Sequence, residues 1–104
     1  MPQDVPPGWT QADNSLTRTL ARADFVEALA LVLEIGRLAE AANHHPDIDI
    51  RDRRVHLKLS THDAGHTVTA KDFALAQKIN DLSEETIRHT KDELRRRFQN
   101  SFQK

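Results

Sequence analysis

The chain has 104 residues, 38% of them hydrophobic and 30% charged, with a formal net charge of -1. That length allows one domain with a modest core, so self-association is a natural source of added stability. Near-neutral charge argues against a nucleic-acid or membrane-surface binder, and the absence of cysteine excludes disulfides, thiolate metal sites and thiol catalysis.

Residues 1–14 are proline-rich and polar and read as a flexible, extended arm ending near Trp9, with no basic-then-apolar leader. The apolar run 28–33 is far too short to span a bilayer, which makes a cytoplasmic location the default expectation. Leu16-Thr17-Arg18-Thr19-Leu20 alternates apolar and polar residues, as a half-buried strand does. Asp24 is placed to cap a helix over residues 25–43, with an apolar stripe at Phe25, Ala28, Leu29, Val32, Ile35 and Ala39, widened by Leu31 and Leu38. Pro46 ends it, because the residue before a proline is pushed out of the helical region.

Asp47-Ile48-Asp49-Ile50 is a second short strand, residues 51–54 a charged turn or strand end, and Val55 to Thr61 the clearest strand of all. In it Val55, Leu57 and Leu59 share one face, and His56, Lys58 and Ser60 the other. After a loop at 63–66, Thr69 can cap a second helix carrying Phe73, Ala76 and Ile79. From Ser83 the sequence has no Gly or Pro, opens with Glu84 and Glu85, and places Ile87, Leu94, Phe98 and Phe102 on one stripe. The order β-α-β-β-α plus a C-terminal helix predicts an α+β fold, an antiparallel sheet with helices on one face. It divides into an arm (1–14), a core domain (15–82) and a helical extension (83–104). The extension is expected to pack on another subunit, the alternatives being a frayed tail or a helix folded back on its own subunit.

The residues suited to chemistry gather between Glu40 and Asp72. His44 and His45 sit at a helix C-terminus, where the dipole favours a cationic side chain, and His62 at the end of the best strand. If helix end and strand end converge, three imidazoles and a carboxylate (Asp63 or Asp72) surround one cleft, a set fit for proton exchange without nucleophile or cofactor. Spacing alone leaves open that these are merely exposed helix-end and strand-end residues. It also leaves open a zinc site, although adjacent histidines lack the i, i+4 spacing that puts two ligands on one helical face.

Glu40-Ala41-Ala42-Asn43-His44-His45-Pro46, then Thr61-His62-Asp63-Ala64-Gly65, then Thr69-Ala70-Lys71-Asp72 resembles the pterin-4a-carbinolamine dehydratase family over about residues 8–82. The resemblance implies an α+β fold in a homodimer or homotetramer, with neither metal nor other cofactor. It also implies dehydration of 4a-hydroxytetrahydrobiopterin to quinonoid dihydropterin, which recycles the pterin of aromatic amino acid hydroxylases. His44, His45, His62 and Asp72 match the family's active-site positions: His44 and His62 would exchange protons, His45 would bind pterin, and Asp72 would orient a histidine. Glu40, Pro46, Thr61 and Asp63 match supporting or substrate-binding positions. The sequence departs from the family at Asp52, where an aromatic residue is common, and in the loop Gly65-His66-Thr67-Val68, which is one residue longer and puts His66 in place of a glycine. It departs again in the helix beyond Leu82. Non-catalytic relatives imply an alternative, an assembly factor for Rubisco or a dimerisation partner of a transcription factor. Direct nucleic-acid binding and membrane association are not expected.

Overall fold

The computed structural model describes residues 4–102, with side chains described through Gln99. Strands β1 (Thr10–Ala12), β2 (Ser15–Ala21), β3 (Asp47–Arg51) and β4 (Arg54–Leu59) form one antiparallel sheet in the order β1-β2-β4-β3. Helices α1 (Phe25–Ala42), α2 (Ala70–Asn80) and α3 (Glu84–Phe102) complete the α+β fold. Among the described residues no helix is long and apolar enough to cross a membrane.

Register explains the one-sided core. Leu16 pairs with Leu59, Leu20 with Val55, and Leu57 lies between Arg18 and Ile48. Directly opposed residues share a face; Leu16, Val55, Leu57 and Leu59 therefore form one apolar surface and are buried, while His56 and Lys58 stay exposed. Leu31 and Ile35 of α1, with Leu75 and Ile79 of α2, cover that surface. Each such side chain contributes about 1.5–3 kcal/mol by leaving water.

Two differences from the sequence reading concern the ends of the chain. Residues 1–14 were expected to form a loose arm, yet part of this stretch is a strand, and Trp9 is buried. Pro6-Pro7-Gly8-Trp9 closes a turn through Trp9 N–H donating to the Pro6 carbonyl at 3.1 Å, with Gly8 at φ +86°. A positive φ at the third turn position suits glycine, and a Cβ on Gly8 would also lie 2.8 Å from the Arg18 guanidinium carbon. The Trp9 indole then donates to Asn80 Oδ1 at 2.9 Å, and Asn80 Nδ2 donates to the Pro7 carbonyl at 2.9 Å. Asp13, at φ +53°, sits in the two-residue link between β1 and β2, and Asp52, at φ +56°, in that between β3 and β4. Asp tolerates this left-handed region better than an aromatic residue does, which accounts physically for Asp52.

The second difference is α3, which is expected from the sequence to pack on another subunit and instead folds back on α1 of its own chain. On α1 the stripe residues Ala28, Leu31, Ile35 and Ala39 are buried as read, together with Ala30 and Glu34, whereas Phe25 is 47% exposed. Ile87 and Thr90 are buried, and the Thr90 hydroxyl donates to Glu34 at 2.7 Å. Phe98 remains 39% exposed, and the Phe102 side chain, read as the last member of the stripe, lies outside the described residues. Phe25, Leu33 and Phe98 thus stay largely in water, and Leu29, Val32, Leu33, Leu94 and Phe98 line an open apolar groove between the two helices.

Charge pins the other side of α3. Lys91 Nζ donates to Glu27 at 2.8 Å, Arg95 to Asp24 at 2.5 Å, and Arg22 pairs with both Glu27 and Glu84. The Lys91 ammonium chiefly holds the Glu27 carboxyl below its ordinary 4.5, and the Arg22 guanidinium does the same for Glu84. Asp24 lies below 3.8, first because it accepts the Glu27 N–H as N-cap of α1. A lowered folded-state value means that the unfolded chain binds more protons in this range, so stability falls as pH drops. The melting temperature should be flat from neutral pH to about 5 and fall steadily below about pH 4.5, as these carboxyls protonate. Circular dichroism melts across pH 7 to 3 test this, and an unchanged melting temperature at pH 3 would contradict it.

Candidate active site

The site is built where the end of α1 meets the end of β4. Asn43 adopts the left-handed conformation (φ 50°, ψ 44°) that Asn tolerates as a helix C-cap, and its N–H donates back to Ala39 and Glu40. This turn carries His44-His45-Pro46 off the helix and into β3. From the other side, β4 runs into Thr61 and a single 3₁₀ turn, His62–Ala64. Asn43, His44, His45, Pro46, Asp47, Thr61, His62, Asp63 and Lys71 line one cleft of about 310 Å³.

Beneath it lies Asp72, with no exposed surface. A buried carboxylate is tolerated only where donors satisfy it. The Thr61 hydroxyl donates to Oδ2 at 2.8 Å, the Thr69 N–H donates to the same oxygen at 2.8 Å, and His44 Nε2 lies 2.6 Å from Oδ1. Thr61 has spent its one hydroxyl proton on the carboxylate, so the 2.7 Å contact between the two threonine hydroxyls runs from Thr69 to Thr61. Asp72 is also the third residue of α2, and with Thr69 it forms a capping box. One carboxylate therefore starts a helix, anchors the end of β4 and holds a histidine.

A carboxylate only accepts, so His44 donates through Nε2–H and keeps Nδ1 as its proton-accepting nitrogen. The ring is nearly buried, with 11% of its side chain exposed. His45 Nε2 lies 2.5 Å from Glu40 Oε2, but with exposures of 57% and 79% this pair is loosely held. The ring of His62 has no hydrogen-bond partner among the described residues; it meets the ring of His66 instead.

The structure thus brings together all of the residues singled out from the sequence. His44, His45, Pro46, Thr61, His62 and Asp63 line the cleft, Asp72 lies under it, and Glu40 reaches it through His45. Sequence reasoning missed Asn43, Asp47 and Lys71 on the cleft wall, and the part Thr69 plays in the hydrogen-bond chain. The one signal for Thr69 and Lys71 was their place beside Asp72 at a capped helix start. Among the described residues no group of three or more side chains is placed to hold a metal ion.

The chain belongs to the pterin 4 alpha carbinolamine dehydratase family, whose match runs over residues 2–82 and so stops just before α3. A relative from Chloroflexus aurantiacus, named "Putative pterin-4-alpha-carbinolamine dehydratase", is 53% identical over 76 residues, covering 73% of this chain and 81% of its own. A protein of the same name from Roseiflexus castenholzii is 52% identical, covering 72% of this chain and 80% of its own. Among solved structures, a transcriptional coactivator/pterin dehydratase from Brucella melitensis aligns with a TM-score of 0.67 and 32% identity, over 71% of this chain and 80% of that one. A pterin dehydratase-like RuBisCO assembly factor of the alpha-carboxysome aligns at 0.57 over 71% of this chain and 87% of that one; its 19% identity shows likeness of fold alone.

The two carboxylates that touch histidines should differ sharply in what they stabilise. Asp72→Ala strands three donors in a buried place and should cost about 2–3 kcal/mol. Glu40→Ala breaks an exposed pair and should cost less than about 1 kcal/mol. Urea denaturation of the two variants measures this, and equal, small losses would contradict the role given to Asp72.

Proposed function

We propose that the protein dehydrates 4a-hydroxytetrahydrobiopterin, or a closely related pterin-4a-carbinolamine, to the quinonoid dihydropterin by histidine acid/base catalysis. The observation that carries the reading is the convergence of His44, His45 and His62 on one cleft, with His44 fixed from below by Asp72. Dehydration breaks the bond between C4a and the hydroxyl oxygen. That oxygen takes a proton and leaves as water, while the ring nitrogen beside C4a gives up a proton and forms the new double bond. Two imidazoles on either side of the carbinolamine carbon supply and remove those protons. In this reading His44 and His62 exchange protons, His45 holds the pterin, and Asp63 and Thr61 shape the wall. Both protons pass through protein side chains, so no metal or other cofactor is required.

The reading includes self-association in the cytoplasm, as a homodimer or homotetramer. The open groove lined by Leu29, Val32, Leu33 and Phe98 supports it, because apolar surface of this kind is a natural place for a second copy. The second reading is a partner-binding protein without catalysis, in the manner of the assembly factor that shares the fold. The same groove and the helix α3 beyond the family match favour it.

A carbinolamine dehydration assay discriminates the two. His44→Ala and His62→Ala should each lower the rate by about 10²–10⁴ while the circular dichroism spectrum is retained. Sedimentation of the same preparations should give a species larger than the 11.8 kDa chain. Near-full rates in both variants would overturn the mechanism, and a wild-type protein that associates but does not dehydrate would favour the second reading.

A further inference from the structure

His44 owes its orientation to a carboxylate, Asp72, and His45 touches another, Glu40. His62 has none, and its side chain is exposed. An exposed imidazole without a partner samples several rotamers, and each unproductive rotamer takes it away from the atom it should serve.

The loop that follows supplies a different restraint. Thr61 N–H donates to the Thr67 carbonyl at 2.8 Å, and the Thr61 carbonyl accepts from His66 N–H at 3.0 Å and from Ala64 N–H at 3.3 Å. Gly65 N–H donates to the His62 carbonyl at 3.0 Å. The loop is therefore closed upon itself, and two successive left-handed residues, Gly65 at φ +81° and His66 at φ +59°, reverse the chain inside it. Glycine adopts this region freely, whereas a non-glycine residue is disfavoured there and persists only where its surroundings demand it. On this turn the His66 ring meets the His62 ring edge to face, with centroids 4.5 Å apart and planes at 78°. His62 lines the cleft, and His66 is not among the residues that line it.

We propose that His66 is a positioning residue, whose imidazole, carried on a strained left-handed turn, holds the cleft-lining ring of His62 in its working orientation. The consequence for rate rests on the dehydratase reading; the contact itself does not. The strained backbone makes the proposal separable from a merely structural role. His66→Gly relieves the strain and removes the ring, so it should melt no lower than the wild type. Its His62 ring-proton signals should nevertheless move, because the ring current of residue 66 is gone. The His62 side-chain coupling constants should also shift from one rotamer toward an average. In the dehydration assay, kcat should fall about tenfold with KM little changed, and His66→Phe, which keeps an aromatic ring, should recover most of it.

Nuclear magnetic resonance of the full chain and its His66→Gly variant decides the matter even if no dehydration is found. Unchanged His62 shifts and couplings would overturn the proposal whatever the activity. Shifted and averaged His62 signals in a protein without dehydratase activity would support the positioning contact and count against the dehydratase reading alone. Altered His62 signals with an unchanged kcat in an active enzyme would overturn it.

Discussion

Burying one carboxylate is the constraint around which this small protein is organised. Asp72 has no exposed surface, and three donors from separate parts of the chain satisfy it: Thr61 at the end of β4, the Thr69 N–H at the start of α2, and His44 just past α1. Each donor comes from an element that must be in place for the others to reach the same two oxygens. The group that aims His44 is consequently the group that joins sheet and helices, and site geometry cannot loosen without loosening the fold. Exposed pairs such as His45 with Glu40 carry no such obligation. Within the cleft a firmly held imidazole, His44, and a loosely held one, His45, thus stand side by side.

The elements that bury large side chains were legible in the sequence. The Val55-Leu57-Leu59 alternation and the Asp24 and Thr69 caps appear where the residues place them. What escaped is what carries little apolar signal. β1 is Thr10-Gln11-Ala12, exposed throughout, and is recognisable only from the two-residue link Asp13-Asn14 and from the partner of Trp9, which lies 71 residues away. The face of α1 was legible at Ala28, Leu31, Ile35 and Ala39, but the burial of Glu34 was not, because α3 covers a second side of that helix, something periodicity within one helix does not reveal. The carboxylate partner of His44 lies 28 residues away, so spacing alone left Asp63 and Asp72 as equals, and the family motif rather than elementary chemistry singled out Asp72.

The helix α3 stands apart because the family match ends at residue 82. It is fastened by a mixed device, with buried Ile87 and Thr90 on one line and Lys91 and Arg95 on another, facing Glu27 and Asp24. Burial gives the contact its strength, and the ion pairs give it register. In lying down on α1, the helix leaves Leu33 and Phe98 exposed along one groove. The extension thereby adds an apolar groove to the surface, and no residue of it lines the cleft.

Asp72 fixes both the orientation and the tautomer of His44. Long-range proton–nitrogen correlation spectra of the imidazole rings test this directly, since they report which ring nitrogen carries the proton. Neutral His44 should be protonated at Nε2, with that proton protected from exchange, and Nδ1 should be bare; Asp72→Asn should disturb this arrangement. A neutral His44 protonated at Nδ1, or one exchanging freely between the two forms in the wild-type protein, would contradict it.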